Sequence, residues 1–128
     1  MNLISFEQKI VIFGAKGMVG SAILRCLQKN AYSKILSPSK EELNLLDSNQ
    51  VKEWFNQNKP DIVILAAAKV GGIYANNNFK ADFYSDNVLI NTNIVNACVK
   101  FNVEYIFAMG TGCAYTKRLE DEVLFEKD

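Results

Sequence analysis

The stretch KIVIFGAKGMVGSAILRCLQKN, residues 9–30, decides the fold. Its opening, Lys9 to Phe13, is dense in β-branched apolar side chains, which suit a buried strand. From Met18 the period changes: Val19, Ile23, Leu24 and Leu27 recur at helical spacing and predict a helix over 18–30. Between strand and helix lie Gly14, Gly17 and Gly20, in the pattern Gly-x-x-Gly-x-x-Gly. Glycines in a pattern are weak evidence alone, but here they leave a strand and open a helix. Gly14 permits the tight turn, Gly17 lets the backbone approach a pyrophosphate, and Gly20 lets the helix pack close to the sheet. The helix N-terminus adds free N–H groups and a partial positive charge. This stretch is therefore expected to bind a dinucleotide.

Working outward, SKIL (33–36) reads as a short second strand, ended by SPS. Asp47 with Gln50 three residues later is a helix-capping pattern that opens a helix over SNQVKEWFNQN. DIVILAAA (61–68) is a strand apolar on both faces, and VGG after it reads as a loop. Residues 82–101 form a long predicted helix with Phe83, Ile90, Ile94 and Ala97 on one stripe, and VEYIFAM (103–109) is a last, buried-looking strand. Apolar strands separated by helices indicate a parallel sheet covered on both faces. The expected fold is α/β, a Rossmann-type doubly wound parallel sheet of about five strands in the order 3-2-1-4-5. One domain is expected, with no repeat and no linker.

Composition narrows the function. The 128 residues are 49% hydrophobic and 22% charged, as in an ordinary globular chain. Fourteen Lys and Arg balance fourteen Asp and Glu, so no net field favours nucleic acid or an anionic membrane. Histidine is absent, which removes the usual imidazole acid/base and metal ligand. Cys26, Cys98 and Cys113 are too scattered for a disulfide framework or a zinc site. No metal is expected, and reduced thiols suit the cytoplasm. The longest apolar run, Ile62 to Ala68, is far too short to span a membrane.

An NAD site usually carries an acidic residue near the tip of the second strand, against the ribose hydroxyls. Here that strand ends LSPSK, with no acid at its tip. Lys16 in the glycine loop and Lys40 after the strand can both face a 2′-phosphate as point charges. The balance favours NADP over NAD, although Glu41 and Glu42, slightly later, argue the other way.

The glycine spacing resembles that of the extended short-chain dehydrogenase/reductases. GMVGSAI (17–23), EELNLLDS (41–48), LAAAKVGGI (65–73) and ADFYSDNVLINTNIV (81–95) narrow this: together they resemble the GDP-L-fucose synthases. The resemblance runs from about Lys9 to the end of the chain, and covers well under half of that family's length. It implies NADPH-dependent epimerisation and 4-keto reduction of GDP-4-keto-6-deoxy-D-mannose. By position, Gly14, Ala15, Lys16, Gly17, Met18, Val19 and Gly20 would hold the pyrophosphate. Lys16 and Lys40 stand where the family has arginines for the 2′-phosphate. Asn44 and Leu45 would lie near the adenine, Ala66, Ala67 and Ala68 would contact adenosine and ribose, and Asn87 would lie toward the nicotinamide; Met109 and Gly110 are further expected cofactor contacts. Thr111, four residues before Tyr115, would hydrogen-bond the substrate carbonyl, and Cys113 would remove and return protons. Gly112 and Thr116 depart from the family's serine and proline. A GDP-sugar substrate and a homodimer are implied, with a complementary C-terminal fragment as a further partner to expect.

Reduction in this superfamily uses a Tyr and a Lys four residues apart, on one helix face. Four residues after the five tyrosines come Leu36, Asn78, Val88, Met109 and Leu119, and none is lysine. The family's proton-donating histidine is missing too. Residues 1–128 are thus expected to be a partial N-terminal dinucleotide-binding domain without its substrate domain, inactive alone in ketone reduction. The alternatives are another nucleotide-sugar epimerase/dehydratase, or a non-catalytic nucleotide-binding module or decayed copy.

Overall fold

A computed structural model describes residues 4–110 of the chain. The chain runs β1 (Ile10–Phe13), α1 (Met18–Lys29), β2 (Ile35–Leu36), α2 (Ser48–Asn58), β3 (Ile62–Leu65), α3 (Ile73–Asn78), α4 (Lys80–Lys100) and β4 (Tyr105–Ala108). Strand pairing is parallel throughout, with Phe13 beside Leu65 and Leu65 beside Ala108. All carboxyl ends therefore lie at one edge.

The doubly wound class is as expected, but the strand count and order are not. Among the described residues the sheet has four strands, in the order β2-β1-β3-β4, rather than five in the order 3-2-1-4-5. Residues 37–47 leave β2 as turns and loop and lead directly into α2. A parallel crossover takes a dozen residues or more, so this segment has no room for a further helix and strand. Dropping the outermost strand of the expected order leaves the observed one.

The β1 and β3 side chains alternate between two cores. Val11, Phe13, Val63 and Leu65 face α2 and α4, packing with Val51, Phe55, Ile94 and Ala97. Ile10, Ile12, Ile62 and Ile64 face α1, against Ile23, Leu24 and Leu27. Val19, in the predicted α1 stripe, is half exposed instead. Phe13 stacks with Phe55, and Phe55 with Phe101, at centroid separations of 6.0 and 6.1 Å. α2 begins where predicted: Asp47 Oδ1 accepts the N–H groups of Asn49 and Gln50 at 2.9 and 3.1 Å, and the Gln50 amide returns to Asp47 Oδ2. β4, apolar in sequence, stands at the edge of the described sheet and is not buried like β1 and β3. Ile106 and Phe107 are 41% and 38% exposed, because no helix among the described residues covers them. Among the described residues no helix is long and apolar enough to cross a membrane.

Candidate functional site

At the carboxyl edge β1 has β2 on one side and β3 on the other, reached by connections that run in opposite directions. Ligands of open α/β sheets bind in such a crevice. A groove of about 330 Å³ opens there, floored by Phe13, Gly14 and Ala67 and walled by the 37–46 segment on one side and Lys69, Asp86 and Ile90 on the other.

The glycine loop is built as its spacing requires. Gly14 has φ +88°, in the left-handed region, and a Cβ there would lie 2.6 Å from the Ala67 nitrogen and 2.8 Å from the Ala66 oxygen. The loop therefore presses directly on the end of β3, which the Ala66 N–H also ties to the Phe13 carbonyl at 2.9 Å. Gly20 is buried, with the Gly14 and Ala15 backbone where its Cβ would be. It brings α1 close to the loop itself, one residue beyond the strand. Gly17 is the N-cap of α1, and no side chain caps it. The first turn of α1 also lacks an acid, so its positive end is not neutralised.

The other rim is a single turn. Ser39 N–H donates to Glu42 Oε2 at 2.6 Å, Glu42 N–H reaches Ser39 Oγ at 3.4 Å, and Leu43 N–H bonds the Ser39 carbonyl at 3.0 Å. This reciprocal Ser-x-x-Glu arrangement pins both ends of the turn, and buried Leu43 anchors it to the core. Lys40 and Glu41 are thereby carried on the rim. The Lys16 Nζ lies 3.8 Å from Glu41 Oε2 across the mouth of the groove. Glu41 is held below the usual carboxylate range by its own backbone N–H, then the Ser39 hydroxyl, then the charges of Lys16 and Lys40.

The third wall is a clamp. Asn87 Oδ1 accepts the Lys69 N–H at 2.7 Å, and Asn87 Nδ2 donates to the Lys69 carbonyl at 2.9 Å. Lys69 Nζ pairs with Asp86 Oδ2 at 2.6 Å and sits 5.7 Å from the centre of the Phe83 ring. The Asp86 hydrogen bond raises the Lys69 pKa above its ordinary value. Residues 86 and 87 of α4 thus hold both the main chain and the ammonium of the residue following the alanines.

Of the residues expected to bind cofactor, Gly14, Ala15, Lys16, Lys40, Asn44, Leu45, Ala67 and Ala68 line this one groove. Gly20 and Ala66 support it from behind. Gly17, Met18 and Val19 are exposed at the α1 start beside it, with Met18 87% exposed. Asn87 faces the main chain of Lys69, while Met109 extends the β4 ladder through its N–H to the Leu65 carbonyl, and neither Met109 nor Gly110 lines the groove. Thr111 and Cys113 lie outside the described residues. Sequence reasoning missed the Ser39–Glu42 turn, whose spacing was visible, and the Lys69–Asp86 pair, which no local pattern marks. Cys98 is buried against α2 and β3, and burial pushes its thiol up to about 11, away from reactive chemistry.

Known proteins fit this geometry. Residues 10–127 match the model of the NAD dependent epimerase/dehydratase family. The chain belongs to that family. Among relatives of this epimerase/dehydratase, GDP-L-fucose synthase of Escherichia coli (strain K12) is 43% identical over 111 residues, 87% of this chain and 35% of that protein. Among solved structures, MlghC, a GDP-mannoheptose C4 reductase from Campylobacter jejuni with NADP bound, has a TM-score of 0.87 at 29% identity, covering 94% of this chain and 38% of that one. A GDP-L-fucose synthetase from Naegleria fowleri bound to NADP has a TM-score of 0.80 at 27% identity, covering 94% and 36%. The chain spans about a third of the length of the proteins it matches.

Proposed function

We propose that this epimerase/dehydratase chain is the cofactor-binding part of an NADP-dependent GDP-L-fucose synthase. The observation that carries the cofactor reading is the groove itself. Its floor is a glycine that a Cβ would drive into Ala67, and its neighbour is a helix start with no cap and no acid. Those are the features a pyrophosphate needs. NADP fits the residues present: Lys16 and Lys40 on the rim for the 2′-phosphate, Asn44 and Leu45 for the adenine, and small Ala67 and Ala68 beneath the ribose. The bound cofactor supplies hydride for reduction of a ketone.

The chain's own contributions to the chemistry follow β4. Thr111 Oγ1 donates a hydrogen bond to the substrate carbonyl, and Cys113 Sγ takes and returns the proton next to it during epimerisation. The substrate in this reading is GDP-4-keto-6-deoxy-D-mannose, and the assembly is a cytoplasmic homodimer for which exposed Val88, Val95 and Val99 of α4 offer apolar surface. No Tyr-x-x-x-Lys occurs in these 128 residues. Proton delivery in the reduction must then come from other residues, which favours nucleotide binding without ketone reduction as the activity of this chain by itself.

Calorimetric titration with NADPH and NADH tests the cofactor assignment. Tighter binding of NADPH is expected, with the preference abolished in Lys16→Glu/Lys40→Glu. Equal affinities in the unaltered chain would refute NADP specificity, and no binding of either at millimolar concentration would refute the site. With GDP-4-keto-6-deoxy-D-mannose added, no NADPH oxidation by the 128-residue chain is expected.

A further inference from the structure

We propose that Glu41 tunes the choice between the two nicotinamide dinucleotides by acting as an internal anion that competes with the 2′-phosphate for Lys16. The inference rests on the cofactor reading above and deepens it.

Three observations meet at this residue. Its position is fixed, since the turn that carries it is closed at both ends by the Ser39–Glu42 hydrogen bonds and anchored by Leu43. The side chain spans the groove mouth from that turn to the glycine loop and reaches Lys16 at 3.8 Å. Its carboxylate is also within electrostatic reach of Lys40, so both lysines of the rim face the same internal anion. Glu42 also feels the charge of Lys16, but its carboxylate is taken up by the Ser39 N–H at 2.6 Å, which leaves Glu41 as the anion that Lys16 meets directly. A phosphate monoester, carrying close to two negative charges at neutral pH, can displace it. Entry of NADPH then requires Lys16 to exchange one anion for the other, and leaves Glu41 beside the phosphate. A ribose with a free 2′-hydroxyl makes no such demand, and Glu41 stays paired.

The strength of the effect is that of a solvent-exposed pair, because the Lys16 and Glu41 side chains are 83% and 78% exposed. Pairs of this kind change equilibria by a few-fold, and less as salt rises.

The test is calorimetric titration of NADPH and NADH into the unaltered chain, Glu41→Gln and Glu53→Gln. Glu53 is exposed on α2 and does not line the groove, so Glu53→Gln makes the same charge change away from the site. Glu41→Gln is expected to tighten NADPH binding about three- to fivefold at low salt, with NADH unchanged and the gain shrinking at high salt. Glu53→Gln should give little gain. An equal gain in Glu53→Gln overturns the proposal, because the effect is then net charge and not position. NADPH affinity unchanged in Glu41→Gln overturns it as well. Weaker NADH binding with NADPH unchanged overturns it in favour of Glu41 as an acceptor for the ribose hydroxyl. Binding of neither nucleotide to the unaltered chain removes the cofactor reading and this inference together, a result distinct from the other three.

Discussion

Gly14→Ala is the substitution that most directly probes the strand-to-helix turn. At φ +88° an L side chain is strained, and the new Cβ would meet Ala67 N at 2.6 Å, Ala66 C at 2.7 Å and Ala66 O at 2.8 Å. All three are backbone atoms at the end of β3, so no rotamer change relieves the overlap. The positive φ costs about 1–2 kcal/mol and the forced backbone shift about 1–3 kcal/mol, together roughly 2–5 kcal/mol. That is a large part of the roughly 5–15 kcal/mol that holds a domain together. For a chain of this size it corresponds to a melting temperature lower by about 10–20 °C. Thermal unfolding followed by circular dichroism measures it, with a urea titration to check that the unfolding slope is unchanged. Nucleotide binding should be lost at temperatures where the variant is still folded, because the loop cannot keep its place over Ala67. A variant melting within about 2 °C of the parent, with NADPH affinity intact, would refute the close approach of loop and strand.

Gly17→Ala should separate binding from folding. Gly17 has φ −75°, and its Cβ would be 3.3 Å from the Gly14 carbonyl oxygen, so stability should fall by less than about 1 kcal/mol while NADPH affinity drops at least tenfold in calorimetry. Phe55→Ala removes a fully buried ring between Phe13 and Phe101 and should cost about 3–5 kcal/mol in urea unfolding. Asp47→Ala should lower the melting temperature by a few degrees at neutral pH. Asp47 is held below its ordinary pKa, first by the Gln50 and Asn49 N–H groups. Its contribution is therefore present above the unfolded-state value and lost as pH falls through the folded one, so parent and variant should converge in acid.

How far the sequence could be read depended on how local each signal was. β1 and β3 are runs of apolar, mostly β-branched residues, buried on both faces, and no other element offers such a run a home. Asp47 and Gln50 declare the α2 start because capping joins residues three apart. α3 lies between the VGG loop and the helix expected from residue 82, where the sequence carries no helix signal, since its three asparagines favour turns. The expected extra strand came from the completed form of the fold, whereas residues 37–47 are spent on the Ser39 turn and the α2 cap. The site was legible where one short segment builds it, as in the glycine loop. It was not legible where segments meet: Lys16 with Glu41, or Asn87 with Lys69 eighteen residues away. Those partners are chosen by the arrangement of α4 and the rim around the sheet edge.

The two halves of the proposed site rest on strands of different standing. The cofactor groove hangs from β1 and β3, whose side chains are buried on both faces and whose end is locked by the Gly14–Ala66 contact. The residues proposed to act on the sugar follow β4, the strand with exposed Ile106 and Phe107. Rigidity at a reacting centre comes from packing around the elements that carry it. On the proposed reading, nucleotide affinity is expected to follow the glycine loop, the Ser39 turn and the Asp86–Asn87 clamp. If the proposed function holds, substitutions in the groove and on β4 should affect cofactor binding and sugar chemistry independently.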